Sequence, residues 1–455
     1  MGSRDFISSL PDEVLGKKIL SLLPTKLVVS TSVLSKRWRN LFHFVDNFDL
    51  EDSTPLRNAD GFSDFMEKTV SLQSNCPIKR LTLNSYYERS SVDRWISSAL
   101  ERGCLELNLQ SQYRNYLDIG IFSRNNTLVK LTLSSYQTFL LGNVPPEGTV
   151  FFPTLKILSL GAVVADPALY NWLISGCPVL EELFIHDVGY GDDQPTWTRS
   201  VVSASIKRLT IYFHISHNTV PYQDNAEIKT PNLEFLDYSA LLSDGSNVDY
   251  LDSLAEARLD LRLWELPTTY QFGEVTNLVA AIRNVKTLHL STGSLEAFYY
   301  CCYTMPVFDK LLHLSIESDK ENGWQALPRL LLKSPNLQTL AIKGLVHKVT
   351  YRCGNACACT SKPKKKELYK RYLDESPPSE VEGRCCLSTC RVKVLEISGY
   401  GGSSKEVKQM EHFLGKLKYL ETVKIGFEED NNSEYLRANL MTLARASSKC
   451  NIQFI

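Results

Sequence analysis

A short phrase, apolar-x-x-Leu-x-apolar, recurs along most of this chain of 455 residues, and no other feature restricts its fold as tightly. Its central residue falls at Leu81 (IKRLTL), Leu107, Leu131 (LVKLTL), Leu158, Leu183, Leu209, Leu236, Leu259, Leu288, Leu314 and Leu340. After a gap it returns at Leu395 (VKVLEI) and Val423. Through the first ten steps the centres lie 23 to 29 residues apart, a spacing that scattered leucines do not hold. Repetition at that period is the signature of a stacked repeat array. Each phrase reads as a short strand with alternate side chains turned inward, and the residues between phrases return the chain by a helix or an irregular turn. One unit cannot bury its own apolar side, so neighbours share a core. Pro77, Pro153, Pro178, Pro231 and Pro335 stand just ahead of strand phrases, where a missing N–H costs nothing and the preceding return is stopped.

The rest of the composition mostly excludes. Lys+Arg 50 against Asp+Glu 51 leaves a net charge of −1, so no global field draws the chain to nucleic acid or to an anionic membrane. The sequence begins without an apolar leader, and no stretch approaches the roughly 18 apolar residues of a spanning helix. An intracellular protein is expected, in the nucleus, the cytoplasm or both, with its 12 cysteines as thiols and not disulfides. Cys76, Cys104 and Cys177 sit in apolar segments as small buried hydrophobes.

Residues 3–50 follow a different pattern. Leu10-Pro11-Asp12-Glu13 is a helix start, with proline in the first turn and acids at the positive end of the dipole. Val14, Leu15, Ile19, Leu22 and Leu23 then share one helical face, and Pro24 ends the helix. Thr25 is placed to cap a second helix, which carries Leu27, Thr31, Leu34, Trp38 and Leu41 at spacings of 4, 3, 4 and 3. Two such helices make too small a core to be very stable alone. Spacing leaves two roles open: an end cap for the array, or a docking module.

The wording of these segments resembles a known family. The strand phrases resemble leucine-rich repeats, except that the usual Asn or Cys after the strand is replaced by Tyr86, Tyr136, Val163, Val188, Leu345 and Tyr400. The run from Leu10 through Ile19-Leu20-Ser21-Leu22-Leu23-Pro24 to Ser35-Lys36-Arg37-Trp38-Arg39 closely resembles the F-box of a large plant family, whose F-box precedes leucine-rich repeats and a C-terminal FBD domain. The segment Cys390–Gly402, followed by His412-Phe413-Leu414 and Leu420–Ile425, resembles the FBD opening. The resemblance implies an α/β repeat fold: a helical F-box at 3–50, an irregular, shallowly curved leucine-rich array at 70–345, a basic and Cys-rich loop at 346–389, and an FBD-like α/β cap at 390–455. It also implies that the module docks a Skp-type adaptor and, through it, a cullin–RING ubiquitin ligase. Carried over as adaptor-facing are Leu10, Pro11, Ile19, Leu20, Pro24, Leu34, Trp38 and Leu41.

Other constellations are weaker. Gly399-Tyr400-Gly401-Gly402 sits between a strand phrase and a helical stretch, as a phosphate-binding turn would, but lacks the Lys-Ser/Thr of a P-loop; a plain strand-to-helix turn explains it more simply. Cys353, Cys357 and Cys359 crowd toward Cys385, Cys386 and Cys390, and Cys353/Cys357 with Cys386/Cys390 would have the pair spacing of a zinc site. The C-x-x-C knuckle is missing and the cluster brackets a lysine-rich loop, so no metal and no cofactor are expected. The run Ser361–Glu367 reads as a mobile surface insertion, with nuclear import as the alternative. H-E-x-x-H, G-x-S-x-G and EF-hand patterns are missing, so no catalysis is expected; what the resemblance implies is a non-catalytic receptor that holds a target protein beside the ligase. Target contacts are expected from strand positions between the inward residues: Thr82, Thr132, Ser159, Phe184, Thr210 and His289. Two rival functions are a small-molecule receptor using a pocket of the array to recruit targets, and a scaffold outside ubiquitin transfer.

Overall fold

In the computed structural model the chain divides into two compact units, Met1–Val220 and Pro221–Ile455. The described residues are 6–7, 9–50, 77–85, 89–111, 115–122, 125–142, 152–164, 167–188, 200–214, 227–242, 247–263, 275–350, 352–359, 386–428 and 433–455. No helix among them is long and apolar enough to cross a membrane.

The first unit opens on the helical module. Asp12–Val14 is α-helical, Leu15–Ile19 widens to π geometry and Leu20–Leu22 tightens to a 3-10 turn. The expected second helix is two helices, Thr25–Thr31 and Lys36–Leu41. Ser35 is the cause. Its backbone is extended and its Oγ accepts a hydrogen bond from the Trp38 amide at 3.3 Å, so a fresh capped start replaces continuation. Thr25 does not cap; its hydroxyl accepts from the Asp49 amide at 2.7 Å instead. Leu15, Leu20, Val28, Leu41 and Val45 form the core of the module, with Leu10, Leu23, Trp38 and Phe42 packed against it. Arg37 cross-links the helices: it pairs with Asp12 at 2.7 Å and donates to the Leu10 carbonyl. A Cβ on Gly16 would lie 2.2 Å from Phe44 Cβ, so only glycine lets the Phe42–Phe44 turn close on the first helix.

The sheet of this unit begins inside the span assigned to the helical module. Asn47–Leu50 pairs in parallel with Arg80–Ser85, which sets Phe48 opposite Leu81. Asp46, almost wholly buried, fastens that junction through Lys79 Nζ at 2.6 Å and Ser21 Oγ at 3.2 Å. Glu106–Ser111, Lys130–Gly142, Ile157–Val164, Glu182–Val188 and Arg208–His214 follow as parallel neighbours, with Leu107, Leu131, Leu158, Leu183 and Leu209 in one register line from Leu81. These leucines are buried, and the residues on either side of them are half-exposed or exposed, the alternation of a sheet with one packed face.

In the second unit Phe235–Leu241, Glu256–Arg262, Thr287–Leu290, His313–Glu317, Thr339–Lys343, Val394–Tyr400, Thr422–Phe427 and Asn451–Phe454 run side by side in parallel. One placement needs correction. The residue opposite Leu236 and Leu288 is Ala257, whereas Leu259 pairs with Tyr238 and Leu290. A buried alanine fills the inward position there, and the more conspicuous leucine stands two residues on. Ile452, opposite Val423, adds a further repeat whose inward residue is isoleucine and not leucine. Residues 390–455 therefore extend this sheet by three strands in the same register. Thr276–Ala281, Thr292–Tyr300, Leu327–Leu332, Ser404–Lys416 and Ser433–Thr442 are helices of the returns, each burying apolar side chains. Of the residues standing where leucine-rich repeats carry Asn or Cys, Val163, Leu345 and Tyr400 are buried, so apolar packing takes that place. The side chains of Tyr86, Tyr136 and Val188 lie outside the described residues.

Candidate functional site

The residues expected to face an adaptor separate into two groups. Leu20 and Leu41 are fully buried and hold the module together, which corrects their assignment as a contact surface; Leu10 and Trp38 pack against the same core but stay partly exposed. Helical periodicity marks an apolar stripe without saying which part of it the module consumes. Pro11, Ile19, Pro24 and Leu34 are exposed. Leu34 is at 65% of full exposure, and beside these four the structure exposes apolar residues outside the adaptor-facing set: Leu22 at 80% and Val33 at 82%, with Ile7 and Leu27 more than half exposed. The available signal was a count. Leu22-Leu23, Leu27-Val28-Val29 and Val33-Leu34 offer more aliphatic side chains than a core of five buried residues accepts. The surplus is on the surface, and an unburied apolar set of this kind marks an interaction site.

The strands supply a second candidate surface, on the face opposite the core. In the first unit Asp49, Thr82, Asn108, Thr132, Ser159, Phe184 and Thr210 follow one another strand by strand in register. Five of the six expected contact residues therefore stand in a single row, each half-exposed, and Asn108 joins them. Phe184, His186 and Tyr212 cluster on this face with ring centroids 5.9–6.3 Å apart. Burial holds the His186 imidazole below its ordinary value. Tyr170, Trp172 and Tyr238 are buried and belong to the core, whereas Tyr212 is half-exposed on the open face.

The corresponding row of the second unit is more polar: Asp237, Arg258, His289, Ser315, Ala341, Glu396, Lys424 and Gln453. Ion pairs lie in this row and beside it: Lys424–Glu396 at 2.8 Å between neighbours in the row, Arg258–Glu256 at 2.9 Å along one strand, and Lys343–Glu317 at 3.0 Å two positions on. Burial and then the neighbouring Arg258 charge lower the His289 imidazole, against the pull of Glu256 at 3.5 Å.

The glycine turn after Ile397 is a structural turn. Gly399 and Gly402 have φ of +71° and +74°, and the turn's amides already have an acceptor. Glu406 takes hydrogen bonds from the amides of Gly401 at 3.0 Å and Ser403 at 2.8 Å, while Ser403 caps the following helix in a capping box. Two carboxylates, Glu406 and Glu428, line the position of Gly401. A phosphate there would meet acceptors and not donors.

The cysteines depart from expectation. Cys104 and Cys177 are buried, as anticipated, and burial pushes their thiols up to about 11 and about 12. The beginning of the 346–389 segment, however, is folded. Cys353 and Cys357 do not gather with Cys386 and Cys390; they gather with Cys359 and His347, the four ligand atoms lying within 4.8 Å of one another. Cys386–Thr389 is a separate short helix, on which the Cys390 thiol donates to the Leu387 carbonyl at 3.2 Å. The three clustered thiols share protons unequally: hydrogen bonds from Cys357 and Cys359 draw Cys353 down, and their bonds to Cys353 hold Cys357 up and push Cys359 up to about 11. The lysine run from Ser361 to Glu367 and Cys385 lie outside the described residues.

A short helical module with surplus apolar surface, joined to leucine-centred parallel strands, defines an F-box/leucine-rich-repeat protein, and the chain belongs to that family. Residues 7–49 match the F-box domain, and residues 92–292 match the leucine-rich repeats of the FBD-associated F-box protein At5g56370. The chain is 88% identical over 455 residues to the F-box/LRR-repeat protein At5g35995 of Arabidopsis thaliana, covering 100% of both. It is 61% identical over 473 residues to the putative F-box protein At1g64540, again with 100% of both covered, and 47% identical over 497 residues to the F-box/LRR-repeat protein At1g48400, covering 99% of this chain and 98% of that relative. Both are from the same plant.

Proposed function

We propose that this chain is the non-catalytic substrate receptor of a Skp–cullin–F-box type ubiquitin ligase, acting inside the cell in the nucleus, the cytoplasm or both. The observation that carries the reading is the F-box module, whose core leaves Ile19, Leu22, Leu27, Val33 and Leu34 exposed. A Skp-type adaptor is the partner that an F-box implies. The half-exposed rows on the open face of each unit are the reading surface for a target protein; in the first, Phe184 and Tyr212 are the aromatic anchors of the kind that dominate binding energy. The mechanism is positional. Holding target and ligase on one chain raises the effective concentration of acceptor lysines, with no covalent chemistry by the receptor itself.

The test is reconstitution. The full chain, purified with a Skp-type adaptor, a cullin and a RING subunit, is expected to form a stable complex, and targets captured from plant extract are expected to be ubiquitinated only when the F-box is intact. A folded chain that binds no Skp-type adaptor overturns the proposal.

A further inference from the structure

We propose that His347, Cys353, Cys357 and Cys359 form a closed structural zinc site, which pins the segment after the Thr339–Lys343 strand onto the Ser404–Lys416 helix. Zinc bound to sulfur at about 2.3 Å and to nitrogen at about 2.0 Å sets tetrahedral donors about 3.5–3.8 Å apart, and the four ligand atoms here all lie within 4.8 Å of one another. His347 Nε2 and Cys357 Sγ are already 3.0 Å apart. Three soft sulfurs and one imidazole select zinc over magnesium or calcium, and four protein ligands leave no open position for catalysis.

The surroundings are those of a prepared site. His347 Nδ1 donates to the Leu345 carbonyl at 3.3 Å, which fixes the tautomer and turns the Nε2 lone pair toward the sulfurs. The imidazole lies flat on the Trp324 indole, with centroids 4.1 Å apart and 15° between planes, so its orientation is set by packing as well. The Cys359 amide points at Cys357 Sγ at 3.0 Å and the Thr350 hydroxyl lies 3.5 Å from Cys353 Sγ; both are donors that stabilise a thiolate. Gly354, at φ +52°, bends the chain between Cys353 and Cys357, and a Cβ there would lie 3.1 Å from the Pro328 ring.

The loop that carries the sulfurs is held from outside. Gln409 accepts from the Ala358 amide at 2.8 Å and donates to the Ala356 carbonyl at 3.2 Å, and His412 Nε2 reaches the Asn355 carbonyl at 2.9 Å. His347, Cys353 and Cys357 are buried and Cys359 is partly so. Binding releases the remaining thiol protons to solvent; a Zn²⁺ with three thiolates and a neutral imidazole carries one net negative charge. The expectation of no metal rested on the missing C-x-x-C knuckle. The spacing used instead is His-x5-Cys-x3-Cys-x-Cys, with the histidine first.

Elemental analysis of the purified full chain tests this, with zinc alone as the added metal. About one zinc per chain is expected. It should fall to background in the Cys353→Ser/Cys359→Ser variant and persist in Cys390→Ser. Because the double variant is able to misfold, cobalt substitution of the wild type is a second measurement: the visible bands of tetrahedral cobalt and a thiolate charge-transfer band are expected. A monodisperse, folded wild-type chain with under about a tenth of a zinc per chain and no cobalt spectrum overturns the site. So does zinc retained in the double variant, a disulfide among the three cysteines in peptide maps, or stoichiometric copper in place of zinc.

Discussion

Replacing Val33 and Leu34 by alanine separates the two meanings of an apolar residue in this F-box. Both lie in the turn between the Thr25–Thr31 and Lys36–Leu41 helices, exposed at 82% and 65%, outside the module's core. Complete burial of an aliphatic side chain is worth about 1.5–3 kcal/mol, so covering what Leu34 exposes gains roughly 1–2 kcal/mol and covering Val33 slightly more. Allowing for the methyl that alanine retains, each substitution costs adaptor binding about 1 kcal/mol and the pair about 2, a loss of roughly thirtyfold in affinity. The same change in the unbound chain should move stability by no more than about 0.5 kcal/mol. Leu41→Ala should do the reverse. Leu41 is 0% exposed, and its truncation leaves a cavity costing about 2–5 kcal/mol in a core of only five buried residues. Calorimetric titration with a purified Skp-type adaptor, alongside thermal melts of each variant, reads both quantities. Unchanged affinity in the Val33/Leu34 variant, with its melt also unchanged, would refute the assignment of this turn as a contact surface.

Phe184→Ala and Tyr212→Ala together should weaken target capture at least tenfold while leaving adaptor affinity as it was, measured by pulldown and titration on the same preparations. Glu406→Ala should destabilise the chain by about 2–3 kcal/mol in urea melts, because it removes the acceptor for the Gly401 and Ser403 amides at a buried helix start. His289 is held below its ordinary value by burial and Arg258, so the unfolded chain takes up the proton first as pH falls. Its contribution to stability is complete above about 6.5 and is lost as pH falls from there toward the depressed folded value; His289→Gln should flatten that part of the stability-versus-pH curve.

The strands were readable because their signal is local and repeated. Leu81, Leu107, Leu131, Leu158, Leu183 and Leu209 had to face one core, and the register pairs them as the phrase implied. The same reasoning failed at Ala257, where the inward position holds a small residue and a more conspicuous leucine stands two places on. It failed differently in the F-box. Leu34 and Leu41 share a seven-residue helical spacing, yet one is exposed and the other buried, because the Ser35 cap breaks the helix on which that spacing depends. Periodicity presumes an unbroken element, and a single serine hydroxyl bonded to Trp38 N was enough to end it.

The Cys353–Cys359 stretch shows what is lost when a segment is judged by composition alone. Its nearness to a lysine run made it resemble a surface insertion, and the partner that completes its chemistry, His347, lies on the strand side of it. The contacts that order it come from a helix more than fifty residues on: Gln409 bonds both Ala356 and Ala358, and Phe413 stacks on the Trp324 that backs His347. Those contacts imply a division of labour along residues 340–455. The Thr339–Lys343 and Val394–Tyr400 strands are register neighbours although 50 residues intervene, so the sheet needs nothing from the intervening chain to continue. What that chain must do is leave the first strand and return to the second without opening the core around Trp324. Gln409, His412 and the Cys/His cluster fix its departure, and the Cys386–Thr389 helix, buried through Cys386 and Leu387, fixes its return.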